Sequence, residues 1–188
     1  MPTVLTLKSK QKRMMEFYNN VIPQHRDIYV AIGYSPNWVT DPVIPLETDT
    51  LDTYDTTVYG YQTYKEILFA RVIPNPTEEQ KENAIYYKDV YYDTISDYQQ
   101  ALDEGYTRII MRFVLDRDEY QELANIAFNV IGMYTEVDPG DVSDKYFLTP
   151  YQFDNVIPDQ GTLELISTRG VITRSNDQTE DIVILLEF

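Results

Sequence analysis

Residues Gly161–Phe188 read GTLELISTRGVITRSNDQTEDIVILLEF, and the reading of this stretch decides the fold class. Leu163, Leu165 and Ser167 alternate with Thr162, Glu164 and Ile166, the period of two that marks a strand. Arg169-Gly170 has turn chemistry, because glycine accepts positive φ without steric cost. Val171–Arg174 then reads as a second, short strand, and Ser175–Thr179 as a polar turn. Ile182–Leu186 is an unbroken apolar run, too short to cross a membrane, and reads as a central strand buried on both faces. Removing Ile182–Phe188 is therefore expected to abolish folding. The competing arrangement is an edge strand completed by another subunit.

Outward from this end, the rest of the chain alternates short helices with strands. Lys8–Val21 is expected to be a helix, with Met14, Phe17, Tyr18, Val21 and Ile22 in one apolar stripe, Ser9 as its cap and Pro23 as its stop. That stripe should pack on the sheet containing the strand Asp27–Tyr34. Ser35–Tyr61 carries Pro36, Pro42 and Pro45 among many Thr and Asp, and reads as one long loop ordered by neighbours. Tyr64–Ile73 reads as a strand. Thr77 with Gln80 has the spacing of a capping box, and the Tyr-rich run Tyr86–Tyr92 reads as extended. Ser96 with Gln99 suggests a second capping box, and Gly105 a C-terminal stop, for a helix over Asp97–Glu104. Tyr106–Leu115 and Ile126–Thr135 read as strands joined through Asp116–Ala124, Asp138-Pro139-Gly140-Asp141 as a turn, and Phe147–Ile157 as irregular. The expected class is α+β, mainly β: a mixed or antiparallel sheet with an N-terminal helix and long loops. The expected organisation is a single domain over 1–188, with a loop-rich inserted region at 35–105.

With 188 residues the chain is long enough to bury a sizeable core. Fifteen basic against 31 acidic residues give a net charge of −16, which disfavours nucleic acid and anionic membrane as partners. The absence of Cys removes disulfides and thiolate chemistry. No apolar segment of signal-peptide type follows the first residues, and no apolar run approaches the roughly 18 residues of a membrane span.

The residues Gly161, Leu163, Ile166, Ile172, Arg174, Asp177, Gln178, Thr179, Glu180, Ile182, Ile184 and Phe188 form a terminal pattern, G-x-L-x-x-I…I-x-R…DQTE-x-I-x-I-x-x-x-F. A second pattern joins Met14–Asn19, Ile28–Gly33 and Ser35–Trp38. Together they resemble a baseplate wedge subunit of contractile-tailed bacteriophages, the type that forms dimers in the outer part of the wedge. The resemblance implies a structural role without an active site. It also implies other baseplate proteins as partners, a homodimer as an option, and a place in the virion tail after synthesis in the host cytoplasm.

The residues themselves offer little to a catalyst. His25 is the single His and has no Cys or second His to share a metal or a nucleophile with, so a surface-loop role is favoured. The acidic clusters are Asp49, Asp52 and Asp55; Asp116, Asp118 and Glu119; and Asp138, Asp141 and Asp144. None has the glycine and distal Glu of a calcium loop, and solvated loops are the favoured reading. No phosphate-binding glycine loop occurs. The expectation is no catalytic residue, no cofactor, no metal and no enzyme. The 17 Tyr exceed what a core needs, and Tyr is enriched at protein interfaces. The candidate partner-facing residues are Trp38, Tyr54, Tyr59, Tyr61, Tyr86 and Tyr91, with the basic residues Lys8, Lys10, Lys12 and Arg13, which read equally as the solvated polar face of the first helix or as a contact with an acidic neighbouring subunit. The rival readings are a carbohydrate-binding or glycan-hydrolysing tail module, which would show two carboxylates in a cleft flanked by Tyr or Trp, and an acidic regulatory binding protein.

Overall fold

The computed structural model describes residues 5–21, 27–38, 45–46, 49–116, 123, 125–175 and 178–188. These fall into two compact units, one drawn from Met1–Asn20, Lys65–Arg112 and Val183–Phe188, the other from Val21–Tyr64 and Phe113–Ile182.

The second unit holds a five-stranded sheet. Its strands are β1 (Asp27–Tyr34), β2 (Thr57–Thr63), β7 (Ile126–Val137), β8 (Phe147–Leu148) and β9 (Thr162–Arg174), in the order β8-β2-β1-β7-β9. Every pairing with a defined register is antiparallel, with Ala31 of β1 between Tyr61 of β2 and Gly132 of β7. Its core gathers Tyr29, Ala31, Leu51, Tyr61, Val130, Val137, Leu148 and Phe153. Burying each large apolar side chain contributes roughly 1.5–3 kcal/mol, so this face holds the sheet together. At the end of β1, Asn129 of β7 makes a reciprocal pair with the Ser35 backbone. Ser35 N donates to Asn129 Oδ1 (2.8 Å), and Asn129 Nδ2 donates to Ser35 O (2.9 Å). Both residues are fully buried, so the amide replaces a strand partner that the backbone would otherwise lack.

The other sheet runs β10-β6-β3-β5-β4, with β3 Glu66–Val72, β4 Ile85–Tyr87, β5 Val90–Ile95, β6 Arg108–Leu115 and β10 Glu180–Glu187. Helix α1 (Leu7–Val21) belongs to the first unit. Thr6 caps it, its Oγ1 accepting from Ser9 N at 3.3 Å. Helix α2 (Glu78–Asn83) starts at Thr77 with a complete capping box to Gln80. Helix α3 (Tyr98–Asp103) starts at Asp97, whose carboxylate accepts from Gln100 N at 2.7 Å, and Gly105 follows it at φ +82°.

The class is α+β, mainly β, with two antiparallel sheets and an N-terminal helix. Several local expectations need correction. Helix α1 begins one residue early and Thr6, not Ser9, is its cap; α3 is likewise capped by Asp97 rather than Ser96. Met14 is fully buried, and the rings of α1 meet the sheet that holds β3. Tyr18 lies 5.1 Å from Phe69 and stacks 5.0 Å from Tyr98, and Phe17 lies 5.6 Å from Phe188. The stretch Ser35–Tyr61 is not one loop. It holds two 3-10 turns, Pro36–Trp38 and Leu51–Tyr54, and most of β2, whose Gly60 sits so close to the Phe147 ring that a Cβ would collide. Residues 39–44 and 47–48 of it lie outside the described residues, as do Ile22, Pro23, His25, Asp118, Glu119 and Asp177. Phe147–Ile157 is ordered as β8 and helix α4 (Pro150–Asn155), where Thr149 and Gln152 form a capping box with Pro at the first position.

The terminal stretch itself differs twice. Arg169-Gly170 is no turn: β9 is continuous, and the five residues from Thr168 to Ile172 pass opposite three of β7, Val130 to Phe128. The glycine marks a bulge, where extra residues must be accommodated. Strand β10 is an edge, not a centre. Ile182 and Ile184 are buried, whereas Val183 and Leu185 are half-buried and pack on the cluster of Ala70, Tyr92 and Ile110. An apolar run reports how many faces of a strand are covered. It says nothing of how many neighbouring strands are hydrogen-bonded.

Candidate partner interface

Strands β4 and β5 form a hairpin at the edge of their sheet, closed by Lys88 and Asp89 at φ 47° and 62°. Two consecutive left-handed residues give the turn that matches strand twist. The register puts Tyr86 opposite Tyr91, with ring centroids 4.7 Å apart and 45° between planes. Tyr86 is 56% exposed. Its hydroxyl donates to Asp89 Oδ1 at 2.8 Å, and this bond, with the charge of Asp89, raises the phenol pKa. Lys81 Nζ lies 5.9 Å from the Tyr91 centroid and Lys88 Nζ 5.3 Å from that of Tyr87. An amphipathic aromatic edge held in place by cations is suited to docking against another protein.

In helix α1, Lys8, Lys12 and Arg13 are exposed and Lys10 is half-exposed. Lys12 pairs with Glu16 at 3.6 Å; among the described residues the other three form no ion pair. With roughly 3.6 residues per helical turn, Lys8 and Lys12 share one side of α1 while Lys10 lies nearly opposite, so the four basic residues surround the helix rather than forming one face.

A match to the family described as "baseplate wedge 3 tail fiber network component" runs over residues 8–188. The chain belongs to that family. No curated protein matches it. The family gives the chain a structural role in a bacteriophage baseplate, in association with other baseplate proteins in the virion tail. Among the described residues, no helix is long and apolar enough to cross a membrane.

Within this baseplate-family chain, the structure distributes the candidate interface residues unevenly. Tyr86 and Tyr91 come together on the hairpin. Tyr59 is half-buried on β2. Tyr61 is 5% exposed, its ring stacked 3.7 Å from Phe153 at 6° and edge-on to Tyr134, so its faces are taken up inside the unit. Trp38 and Tyr54 sit in the two 3-10 turns, and their side chains lie outside the described residues. Tyr146 and Tyr151 are 68% and 70% exposed, beside β8 and on α4; Tyr151 was missed because Phe147–Ile157 read as irregular, and nothing local marked Tyr146.

Three members of the acidic clusters bond to nearby backbone. Asp49 Oδ2 accepts from Leu46 N at 2.7 Å, Asp138 Oδ1 from Gly140 N at 2.9 Å, and Asp144 Oδ1 from Tyr146 N at 2.9 Å. No three acidic or His side chains gather as for a metal among the described residues. Asp93 carried no sequence signal, yet it centres a polar network. Arg71 Nη2 and the Tyr106 hydroxyl each donate to its Oδ2 at 2.6 Å, and the Arg71 guanidinium lies 4.6 Å over the Tyr106 ring. Burial pushes the Asp93 pKa up, but the bonds from Tyr106 and Arg71 outweigh it and hold the carboxyl below its usual range. The three residues come from β3, β5 and the segment just before β6, so the network clamps the sheet rather than forming a reactive pair. A second polar residue that sequence reasoning left without a role is Arg174, 1% exposed at the end of β9. Its guanidinium donates to the carbonyls of Leu123 and Asp116. It therefore anchors both ends of the segment that follows β6.

Proposed function

We propose that this chain is a structural, non-enzymatic part of a contractile-phage baseplate wedge that binds neighbouring baseplate subunits during assembly and contraction. The family match over residues 8–188 carries this reading. The exposed Tyr86 edge and the basic residues around the start of α1 supply surfaces of the right chemistry. We extend the proposal to a location in the tail after synthesis in the host cytoplasm, and to solution mass as the measure of whether two copies pair. The test is incorporation. Particles assembled with a Tyr86→Ser/Tyr91→Ser chain should lack it or show its density displaced, whereas normal occupancy would remove the hairpin from the interface.

The glycan-hydrolysing rival needs an open aromatic face beside two carboxylates. Asp52 and Asp154 do lie near Tyr61 and Phe153, but those rings are 5% and 2% exposed and stack on each other. A sugar ring has no free platform there.

A further inference from the structure

A cleft of about 500 Å³ opens in the second unit between the Leu51–Tyr54 turn, β2, β7 and α4. The polar groups that line it include Asp52, Asp154, Thr56, Gln160 and the phenols of Tyr61 and Tyr134. Four observations converge on it. The exposed Asp52 and Asp154 have no cationic partner among the described residues. Tyr61 is more than nine-tenths buried as a residue, and its hydroxyl oxygen reaches the open space of the cleft without a hydrogen bond among the described residues. Thr56 Oγ1 is buried and equally unpaired. Gln160 spends its amide N–H on Phe153 O at 2.9 Å, which leaves its oxygen as another acceptor.

Every one of these atoms can accept a hydrogen bond, and buried polar groups are normally satisfied. What the cleft lacks is donors carrying positive charge. Burial, then the charges of Asp52 and Asp154, push the Tyr134 phenol up to about 12. The same two carboxylates also raise Tyr61, after burial and Tyr134 itself. In both phenols burial is the larger cause, and the two carboxylates add to it in the same direction. A guanidinium brings five donors in a planar fork that matches carboxylates. An ammonium brings three donors from a point charge, and a sugar brings no charge to neutralise the acids.

We propose that the Asp52–Asp154 cleft receives an arginine side chain from a neighbouring baseplate protein. The source of the arginine rests on the baseplate reading; the recognition chemistry does not. The test uses the full chain and a short arginine-bearing hexapeptide, titrated by calorimetry at low salt. The same peptide with citrulline in place of arginine removes the charge and keeps the shape. Asp52→Asn/Asp154→Asn should weaken peptide binding at least tenfold without a change in melting temperature. Glu79→Gln/Glu82→Gln, which removes the same charge from α2, should leave binding within twofold. The citrulline peptide should bind like the double cleft variant. Equal binding by the cleft variant and the wild type would overturn the proposal, because the peptide would then be held by diffuse acidity. Preferential binding of an N-acetylglucosamine oligomer over the arginine peptide would overturn it in favour of a glycan site. Incorporation into particles is scored in parallel. A wild-type chain absent from purified baseplates would sink the baseplate reading and leave the peptide result standing, whereas a cleft variant that binds peptide normally sinks the cleft alone.

Discussion

Arg174 and Asp93 show how single polar side chains set this structure. Arg174 is buried and satisfies two carbonyls, those of Leu123 and Asp116; among the described residues no carboxylate bonds to it and its Nε has no partner. Replacing it by Met would orphan both carbonyls, at about 1–3 kcal/mol each, and would remove the desolvation penalty of the charge. Arg174→Met is therefore expected to destabilise the chain by about 2–4 kcal/mol in urea unfolding. An unchanged midpoint would mean that water takes over both carbonyls. Gly161 is equally constrained. It sits at φ +67°, and an added Cβ would lie 2.0 Å from Thr135 O, so Gly161→Ala should destabilise by at least about 2 kcal/mol. Asp93 sets a pH dependence with a definite sign. Its folded pKa is lowered, so its contribution is complete above the unfolded value of about 3.9 and is lost as pH falls through the lower folded value. Melting temperature should fall with pH below about 4. Asp93→Asn should flatten that limb, and a limb that stays unchanged in the variant would assign it to other carboxylates.

The element with most to test is β10. It lies at the edge of its sheet, yet Ile182 and Ile184 are 3% and 8% exposed, and Phe188 beyond it packs on Phe17 of α1. Two buried Ile side chains contribute roughly 3–6 kcal/mol gross, a large part of a typical domain's net stability. Truncation after Asp181 should therefore expose Lys65–Arg112 and α1 to limited proteolysis while Ile126–Arg174 stays protected. Equal protection of both would show that β10 is an appendage. Loss of both would show that the two units unfold together. Met14→Ala reads the other side of the same unit, because Met14 is fully buried, and should cost about 2–5 kcal/mol.

For the whole molecule, the acidic surplus and the exposed tyrosines matter more than any one fold element. Tyr86→Ser should leave stability within about 0.5 kcal/mol, as surface substitutions generally do, and still impair incorporation into particles. A variant that loses stability and incorporation together would place Tyr86 in the folding of the hairpin instead of in a contact.

The sequence by itself determined the class, the strands β1, β3, β6 and β7, and the capping box at Thr77, because these rest on local periodicity and local hydrogen bonds. It also determined the family resemblance through Gly161, Arg174 and the terminal Ile182, Ile184 and Phe188. The same local logic was available for α4, where Thr149, Pro150 and Gln152 carry the signature of a helix start. Tertiary structure alone decided the rest. Strand β2 hides among Thr and Asp because its pairing with β1 and β8, not its own alternation, makes it a strand. The edge position of β10 depends on which strands stand beside it. The cleft at Asp52 and Asp154 joins residues 102 positions apart, brought to one place by a 3-10 turn and α4. Local patterns record what one residue does to its near neighbours in the chain, whereas sheet order and convergent acids follow from loop closures that leave no periodic trace.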